Sequence, residues 1–315
     1  MQTIQMAAKK KISRSTNASR STNAARSTNA KRSTNAKRST NAKRSSNAAK
    51  PASPATIEVQ VSQSVGIIWL NRPDVRNAFD EIMIGELTTA LRAFGGDDSV
   101  RAVVIAARGP AFCAGADLTW MQRMAGFSIK QNEADAMALA TMLHTLASLP
   151  KPTIARVHGA AFAGGMGLIA ACDMAVASQN VEFCLSEVKL GLIAATISPY
   201  VVHAIGARTA HRYFLTAERF TAAEAYRIGL IQELVTDDEL DATINQLLGH
   251  LIQASPEALA SSKALLRAVI DHPIEPKLIA DTARRIAHAR ASKDGKEGVR
   301  AYLAKRKPAW VPKDL

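Results

Sequence analysis

The sequence predicts an α/β fold for the part of the chain that follows residue 55. Short strand-like segments alternate there with longer helix-like segments, and no long linker separates them. From Thr56 to Ser62 apolar and polar residues alternate, which is the period of a half-buried strand. Ala102–Ala107 is a wholly apolar run, which is typical of a strand buried on both faces. These patterns indicate a sheet-containing core.

Further elements of the first half follow the same alternation. The stretch GIIWLN at 66–71 predicts a second strand, which Pro73 ends. Apolar residues recur at helical spacing from about residue 80 to 94, so we expect a helix there. A longer helix is predicted from about 130 to 149, ending at Pro150.

The second half begins with another buried strand at Thr153–Val157. Its exit is a turn of small residues at 159–165, which enters an Ala-rich helix that runs through Cys172. A strand is predicted again at 173–177. Beyond about residue 198 the pattern is mostly helical, and only 230–235 is strand-like. We therefore expect a helical C-terminal part.

Positive charge is concentrated at the N-terminus. The chain has 315 residues, 40 Lys and Arg, 27 Asp and Glu, and a net charge of +13. No acid precedes Glu58, and residues 1–55 hold 13 of the bases, so the remaining 27 bases balance 27 acids. The pI of about 9.9 therefore describes the N-terminal segment and does not predict a nucleic-acid-binding domain.

The N-terminal segment is repetitive, since residues 14–49 are six tandem hexads of the form RSTNAx, the last reading RSSNAA. A six-residue period forms no stripe on a helix, and Ser, Thr and Asn compete for backbone hydrogen bonds. No apolar residue larger than Ala is available to bury, so we expect 1–55 to be a disordered basic tail. Three roles stay open: a solvated tail without function, a segment that binds polyanions such as nucleic acid, and a targeting peptide.

Composition excludes several other classes of protein. A hydrophobic fraction of 47% supports a sizeable core, whereas 5% aromatics argue against stacking surfaces for bases or sugars. The odd cysteines Cys113, Cys172 and Cys184 lack CxxC spacing, which favours buried, reduced thiols in a cytoplasmic protein. No apolar run is long enough for a membrane span or a secretory signal. We also expect no metal or redox cofactor, because metal-ligand spacings, P-loops and dinucleotide fingerprints do not occur.

Two small-residue turns are candidates for a site. The turn at 112–118 follows the strand 102–107, and the turn at 159–165 follows the strand 153–157. Turns from strand to helix leave backbone N–H groups free, and two such groups that converge on one oxygen form an oxyanion hole. Close packing between elements is the structural alternative for small residues at these positions.

Several motifs resemble the crotonase family (the enoyl-CoA hydratase/isomerase superfamily), in that family's order and spacing. They are NRPDVRNAF at 71–79, AFCAGADL at 111–118, PKPTIARVHGAAFAGG at 150–165, ACDMAVAS at 171–178, FCLSEVKLGL at 183–192, LTAERFTAAEAYRIGLIQELV at 215–235 and the ending YLAKRKPAW. The resemblance covers roughly residues 57–315. It implies an acyl-CoA thioester substrate, with coenzyme A as part of that substrate.

The resemblance also implies an architecture. We expect a spiral of ββα units over 56–250 and a C-terminal helical region over 251–315. In the resembling family the C-terminal helices build trimers, which often pair into hexamers, so we expect a homotrimer or hexamer. Neither the spiral nor the oligomer follows from the residue pattern alone.

Carried over by position, the resemblance assigns the oxyanion-hole N–H groups to Ala116 and Gly164. Charge develops on the thioester oxygen during addition of water to a 2-enoyl thioester, so two preorganised donors there favour the reaction. Glu187, in LSEVKLG, matches the family's general acid/base. Without the resemblance, Glu187 would be interpreted as a solvated glutamate at a strand end.

The family's second glutamate is absent, because Gly167 occupies its position. The resemblance is greatest to bacterial methylglutaconyl-CoA hydratases, whose substrate carries its own distal carboxylate. We therefore expect Gly167 to make room for that carboxylate or for a water that it positions. The alternative activity is an enoyl-CoA isomerase, in which Glu187 moves one proton and no water is consumed.

The resemblance further implies a set of substrate-binding residues: Arg76, Ala114, Asp117, Leu118, Trp120 and Gly167. Trp120, Met121 and Met124 are expected to line the acyl pocket, with core packing as the alternative. Arg123 is a candidate partner for a distal carboxylate, and a surface arginine is the other interpretation.

Coenzyme A phosphates need cations. Besides Arg76, the basic cluster Lys305, Arg306 and Lys307 near the C-terminus is predicted to bind them, in this family from a neighbouring subunit. A solvated basic end is the alternative. His144 and His158 are interpreted as structural residues.

Overall fold

The computed structural model describes residues 55–312. Its strands are β1 Ile57–Ser62, β2 Val65–Leu70, β3 Ala102–Ala107, β4 Thr153–Val157, β5 Ala161–Phe162, β6 Met174–Ser178, β7 Glu182–Cys184, β8 Phe220–Thr221 and β9 Glu233–Val235. Its helices are α1 Glu81–Gly96, α2 Leu118–Met124, α3 Ile129–Ser148, α4 Gly164–Ala170, α5 Ser198–Ile205, α6 Ala207–Thr216, α7 Ala222–Arg227, α8 Leu240–Gln253, α9 Pro256–Val269, α10 Pro276–Ala291 and α11 Lys293–Leu303. Short 3₁₀ turns cover Pro73–Val75 and Glu187–Leu190. The predicted α/β class is confirmed.

Six strands form the main sheet in the order β1-β2-β3-β4-β6-β9. Only the hairpin of β1 and β2 is antiparallel, and the other neighbours are parallel. All six residues of β2 and all six of β3 are buried, as the apolar runs predict. Because the parallel strands share a direction, the loops that leave β3 and β4 emerge at the same edge of the sheet.

A second, three-stranded sheet in the order β5-β7-β8 lies at that edge. β5 pairs parallel with β7, so that Phe162 lies opposite Cys184. β7 pairs antiparallel with β8, and the rings of Phe183 and Phe220 stack with their centroids 5.5 Å apart. This small sheet fixes the turn after β4 against the segment that leads to Glu187.

Most predicted elements are present within two or three residues of the expected bounds. β3 and β4 match in full, whereas β9 covers only the last three residues of the predicted strand at 230–235. The sequence did not predict α2, β5, β7 or β8, each of which is seven residues or shorter. Segments that short carry less than two helical turns, or no more than one and a half strand periods, so periodicity does not reveal them.

The C-terminal part is helical, as predicted. The expected division at residue 250 falls inside α8. Arg101, which precedes β3, donates to the backbone oxygens of Ile252, Ala254 and Trp310 at 2.6–3.1 Å, so the C-terminal segment is fastened to the amino end of the main sheet. The predicted tail at 1–55 lies outside the described residues, except for Ala55. Within 55–312 no helix combines the length and the hydropathy that crossing a bilayer requires.

Candidate active site

The two small-residue turns lie side by side. Cys113 and Ala161 form an isolated parallel bridge, in which Phe162 N–H donates to Cys113 O at 2.9 Å and Cys113 N–H donates to Ala160 O at 3.2 Å. Ala116 and Gly164 each lie three residues beyond this bridged pair. Because the two segments run parallel, the predicted donors, the N–H groups of Ala116 and Gly164, occupy corresponding positions on neighbouring segments.

Backbone conformation brings the turns into contact. Gly115 has φ +95°, a conformation that glycine adopts without strain, and a Cβ there would lie 3.0 Å from the Cβ of Ala163. Ala163 itself has φ 49° and ψ −119°, which is strained for a residue with a side chain. A hydrogen bond from its N–H to Cys184 O, 2.8 Å long, holds it in place. Strain held by neighbouring structure is typical of functional turns.

The Ala116 N–H is directed by pairing with Phe79. Phe79 N–H donates to Gly115 O at 2.7 Å, and Asp117 N–H donates to Phe79 O at 2.8 Å. Since both neighbours of Ala116 face Phe79, the Ala116 N–H points to the opposite side of this parallel bridge. It has no acceptor among residues 55–312, so it is available to a ligand.

Gly164 is the first residue of α4, and its N–H likewise finds no acceptor in the described part of the chain. A Cβ at Gly164 would lie 3.0 Å from two ring carbons of Phe79, so a larger residue would press on that ring. Phe79 thus contacts both donor segments, one through its backbone and one through its ring.

Glu187 begins the 3₁₀ turn that follows β7. Its carbonyl accepts from Leu192 N–H at 3.0 Å, which closes the turn. Glu187 follows Cys184, whose carbonyl holds Ala163, by three positions, so at most roughly 10 Å of chain lies between them. The backbone of Glu187 therefore lies near the turn that contains Ala163.

The Glu187 carboxylate lies in a partly desolvated position. Its Oε2 atom is buried and finds no hydrogen-bond partner among residues 55–312. Burial raises the pKa of Glu187 above its ordinary value, against the opposing effect of a hydrogen bond within its own residue. A carboxylate with a raised pKa and a free oxygen is better suited to take up and return a proton than an ordinary solvated glutamate.

Gly167 does not provide the space that the sequence analysis expected. It is buried within α4, and a Cβ there would lie 2.1 Å from Cγ2 and 2.6 Å from Cβ of Ile197. Ile197, itself only 2% exposed, fills the volume beside the glycine. The expectation that Gly167 makes room for a distal carboxylate is therefore wrong, because an apolar side chain already occupies that room.

The other residues predicted to bind substrate lie on the segments around Phe79 and Ala116, and they differ in their exposure to solvent. Arg76 is exposed and forms no ion pair with any acid of the described part, and its carbonyl accepts from Ala114 N–H at 3.0 Å. Leu118, the first residue of α2, is 77% exposed. Trp120 is buried in the core, which agrees with core packing.

Asp117 is a helix cap. Its Oδ1 accepts from the N–H groups of Thr119 and Trp120 at 2.8 and 3.1 Å, and its Oδ2 accepts from Arg72 at 2.9 Å. Burial acts to raise the pKa of Asp117, but the Trp120 N–H and the Arg72 guanidinium outweigh it and lower the pKa. Its oxygens are therefore already engaged by the protein.

Arg123 Nη2 donates to both carboxylate oxygens of Glu81 at 2.7 Å, and both side chains are about half exposed. This arrangement matches the surface-arginine interpretation. Met124 packs partly buried against the core, whereas Met121 is half-buried.

The C-terminal cations lie at the other end of the sheet in the same chain. Arg306 forks onto Glu297 at 2.6 and 2.9 Å, and Lys305 and Lys307 are exposed. The neighbouring Trp310 is bound by Arg101 at the amino end of β3, whereas Ala116 follows the carboxyl end. One chain therefore does not bring this cluster to its own oxyanion turns.

The other polar candidates have structural surroundings. His144 is exposed on α3, and His158 Nε2 bonds Gly109 O at 2.8 Å. The three cysteines are free thiols, and burial raises the pKa of Cys113 and Cys172 to about 12. No group of His, Cys, Asp or Glu within residues 55–312 is arranged to hold a metal ion.

Sequence reasoning missed Phe79, which organises both donor turns. The sequence feature that could have identified Phe79 is its position at the end of NRPDVRNAF, one residue before the capping residue Asp80. A large ring there adjoins a sharp turn. Nothing in the sequence showed that its backbone would pair with Ala116.

Comparisons with known proteins agree with this geometry. The profile of the family described as Enoyl-CoA hydratase/isomerase matches residues 60–313. An enoyl-CoA hydratase from Shewanella pealeana is 43% identical, with a TM-score of 0.79 over 81% of this chain and 96% of that one. An enoyl-CoA hydratase from Mycobacterium smegmatis is 34% identical, with a TM-score of 0.76 over 81% and 98%. Enoyl-CoA hydratase ACTT6 from Alternaria alternata is 34% identical over 66% of this chain and 69% of its own.

Proposed function

Because this chain belongs to the enoyl-CoA hydratase/isomerase family, we propose that it adds water to a 2-enoyl-CoA with a single catalytic carboxylate, Glu187. The observation that carries the proposal is the buried Oε2 atom of Glu187, which has no partner among the described residues. Glu187 begins the turn that follows β7, the strand whose Cys184 carbonyl holds Ala163 beside Gly164. The finer proposal is that the substrate is 3-methylglutaconyl-CoA or a related branched glutaconyl-CoA.

The proposed mechanism uses backbone donors and one side chain. The substrate thioester oxygen accepts hydrogen bonds from Ala116 N–H and Gly164 N–H. Ionised Glu187 takes a proton from water as the water oxygen bonds to C3 of the enoyl group. The electron pair of the C2–C3 double bond moves to the thioester oxygen, and Glu187 then returns the proton to C2. Each oxyanion donor is expected to contribute about 10²–10³ in rate.

The absence of a second glutamate supports the glutaconyl proposal in a different way from that expected. Ile197 closes the volume beside Gly167, so the protein supplies an apolar wall where a second carboxylate would be placed. An anionic wall would repel a substrate that carries its own carboxylate, whereas an apolar wall does not.

A substrate panel tests the finer proposal. Purified protein is assayed with 3-methylglutaconyl-CoA, 3-methylcrotonyl-CoA and crotonyl-CoA at matched concentrations. The proposal expects the highest kcat/KM for the glutaconyl thioester. Turnover of crotonyl-CoA with none of the glutaconyl thioester would refute the substrate assignment and leave the hydration chemistry standing.

Isomerisation is the second candidate function, and the same single carboxylate favours it, since one base suffices to move one proton between two carbons. Oxygen-18-labelled water separates the two reactions. A hydratase places the label in a 3-hydroxyacyl product, whereas an isomerase yields a shifted double bond without label.

We further propose that the chain acts as a homotrimer or hexamer. Large apolar side chains are exposed on the C-terminal helices, among them Tyr302 at 83%, Leu303 at 75% and Val299 at 61%. Exposed apolar groups in such number favour a subunit interface. An assembly would also allow Lys305, Arg306 and Lys307 of one subunit to approach coenzyme A bound by another. Sedimentation equilibrium measures the assembly, and a monomer at micromolar concentration would contradict it.

A further inference from the structure

An arginine next to the site joins two helix caps. One Nη2 atom of Arg72 lies 2.9 Å from Asp117 Oδ2 and 3.1 Å from Asp80 Oδ2. Asp80 caps α1 through Met83 N–H at 2.8 Å, and Asp117 caps α2. A single guanidinium thus connects the first turns of two helices that begin on either side of the Ala116 segment.

The same guanidinium also holds the backbone of the paired segment. Arg72 Nη1 donates to Ala78 O at 2.5 Å, and the next residue is Phe79. Phe79 pairs with Gly115 O and Asp117 N–H, the two groups that flank Ala116. Arg72 therefore contacts both partners of the bridge, residues 78–80 on one side and Asp117 on the other.

Removing the guanidinium would leave a specific defect. Asp80 and Asp117 are 9% and 6% exposed, and both approach the same nitrogen, so their charges would face each other with little solvent between them. A lysine at position 72 keeps the charge but not the planar fork that reaches two carboxylates and a carbonyl at once. The distance between residues 78–80 and the segment that contains Ala116 would change. The direction of the Ala116 N–H would change with it.

We propose that Arg72 is a positioning residue that sets the direction of the Ala116 N–H in the oxyanion hole by clamping Asp80, Asp117 and Ala78 O. The proposal rests on the proposed function, because the hole matters only if a thioester oxygen becomes negative there. Arg72 contacts no reacting atom. It acts through the bridge between Phe79 and Ala116, and a displacement of about 1 Å at a catalytic group can reduce a rate about 10²-fold.

The test compares Arg72→Lys and Arg72→Met with the wild type. Steady-state kinetics with the best 2-enoyl-CoA should show kcat lower by about tenfold for Arg72→Lys and about 10²-fold for Arg72→Met. KM should stay within about threefold, since Arg72 touches no substrate atom and the Ala116 hydrogen bond matters most when the thioester oxygen becomes negative. Arg212→Lys is the matched control, because Arg212 forks onto Glu218 at 2.6 and 3.1 Å on the exposed surface. That control should keep the wild-type kcat.

A second readout separates positioning from stability. A 3-ketoacyl-CoA ionises to an enolate that absorbs in the near ultraviolet, and an oxyanion hole lowers the pH at which the bound thioester ionises. Arg72→Lys should raise that pH, in step with its loss of kcat. Thermal melting shows whether each variant is folded. If Arg72→Lys is too unstable to purify, Asp80→Asn provides a milder weakening of the same clamp.

The outcomes are distinct. A lower kcat together with weaker enolate formation supports the proposal. A folded Arg72→Lys variant with kcat and enolate ionisation equal to wild type overturns it, as does a loss of kcat with unchanged enolate ionisation. Wild-type protein that forms the enolate but hydrates no 2-enoyl-CoA would refute the proposed function, while the Arg72 comparison would still be decided by the enolate spectrum.

Discussion

Gly167→Ala is expected to destabilise the protein, although alanine is the better helix former. The new Cβ would lie 2.1 Å from Ile197 Cγ2 and 2.6 Å from Ile197 Cβ, whereas carbon atoms in contact are about 3.5–4.0 Å apart. Ile197 is buried, so it must move by more than about 1 Å into packed surroundings. We take about 3 kcal/mol for this overpacking and subtract about 1 kcal/mol for the better helix propensity.

The net loss is therefore about 2 kcal/mol, which corresponds to a fall in Tm of about 4–8 °C for a domain of this size. Differential scanning calorimetry at fixed protein concentration measures it. The matched control is Gly249→Ala in α8, where an added Cβ meets nothing within 4 Å, so its Tm should stay level or rise. On an Ile197→Ala background the loss should shrink but not vanish, because the Cβ at 2.6 Å remains. A Gly167→Ala protein as stable as the Gly249→Ala control would refute the packing argument.

The remaining predictions concern pH, thiols and the tail. Because burial raises the pKa of Glu187 above 4.5, kcat/KM should fall on acidification at a pH above that value, and Glu187→Gln should remove this dependence. At Glu187 the folded protein binds more protons than the unfolded chain between pH 4.5 and the raised pKa, so the contribution of Glu187 to stability should fall as pH rises through that window and then level off. The difference in unfolding free energy between wild type and Glu187→Gln isolates this contribution, and a difference that does not change with pH would contradict it. Cys113, which is fully buried and whose thiol pKa burial raises to about 12, should react with a thiol reagent at about pH 8 only after unfolding, which mass spectrometry of the labelled peptide would show. A chain that starts at Thr56 should retain the full kcat, and if the tail binds polyanions it should lose the salt-dependent binding of the full chain.

The long elements could be predicted because their periods are clear. The runs at Ala102–Ala107 and Thr153–Val157 are predominantly apolar, and both are buried parallel strands. By contrast, β5 and β8 have two residues each and exist only through pairing with β7. Tertiary contacts define such strands, so no local pattern in the sequence could reveal them.

The sequence predicted accessible backbone N–H groups, but not the residues that support them. The small residues around Ala116 and Gly164 pointed to accessible N–H groups, and the structure leaves both N–H groups without an acceptor in the described part. The contribution of Arg72 could not be anticipated, since it depends on a bridge between segments 37 residues apart in sequence. The prediction of free space beside Gly167 was wrong for a similar reason. Ile197, which fills that space, is distant in sequence and lies at the start of another helix.

The most direct test of the account is the rate at which oxygen-18 from labelled water enters the 3-hydroxyacyl product, compared between wild type and Glu187→Gln. The substitution keeps the size of the side chain and removes its ability to accept a proton. The account predicts incorporation by wild type and a rate lower by about 10²–10⁴ for the variant, at nearly unchanged KM. A Glu187→Gln enzyme that incorporates label within about threefold of the wild-type rate would contradict the central claim.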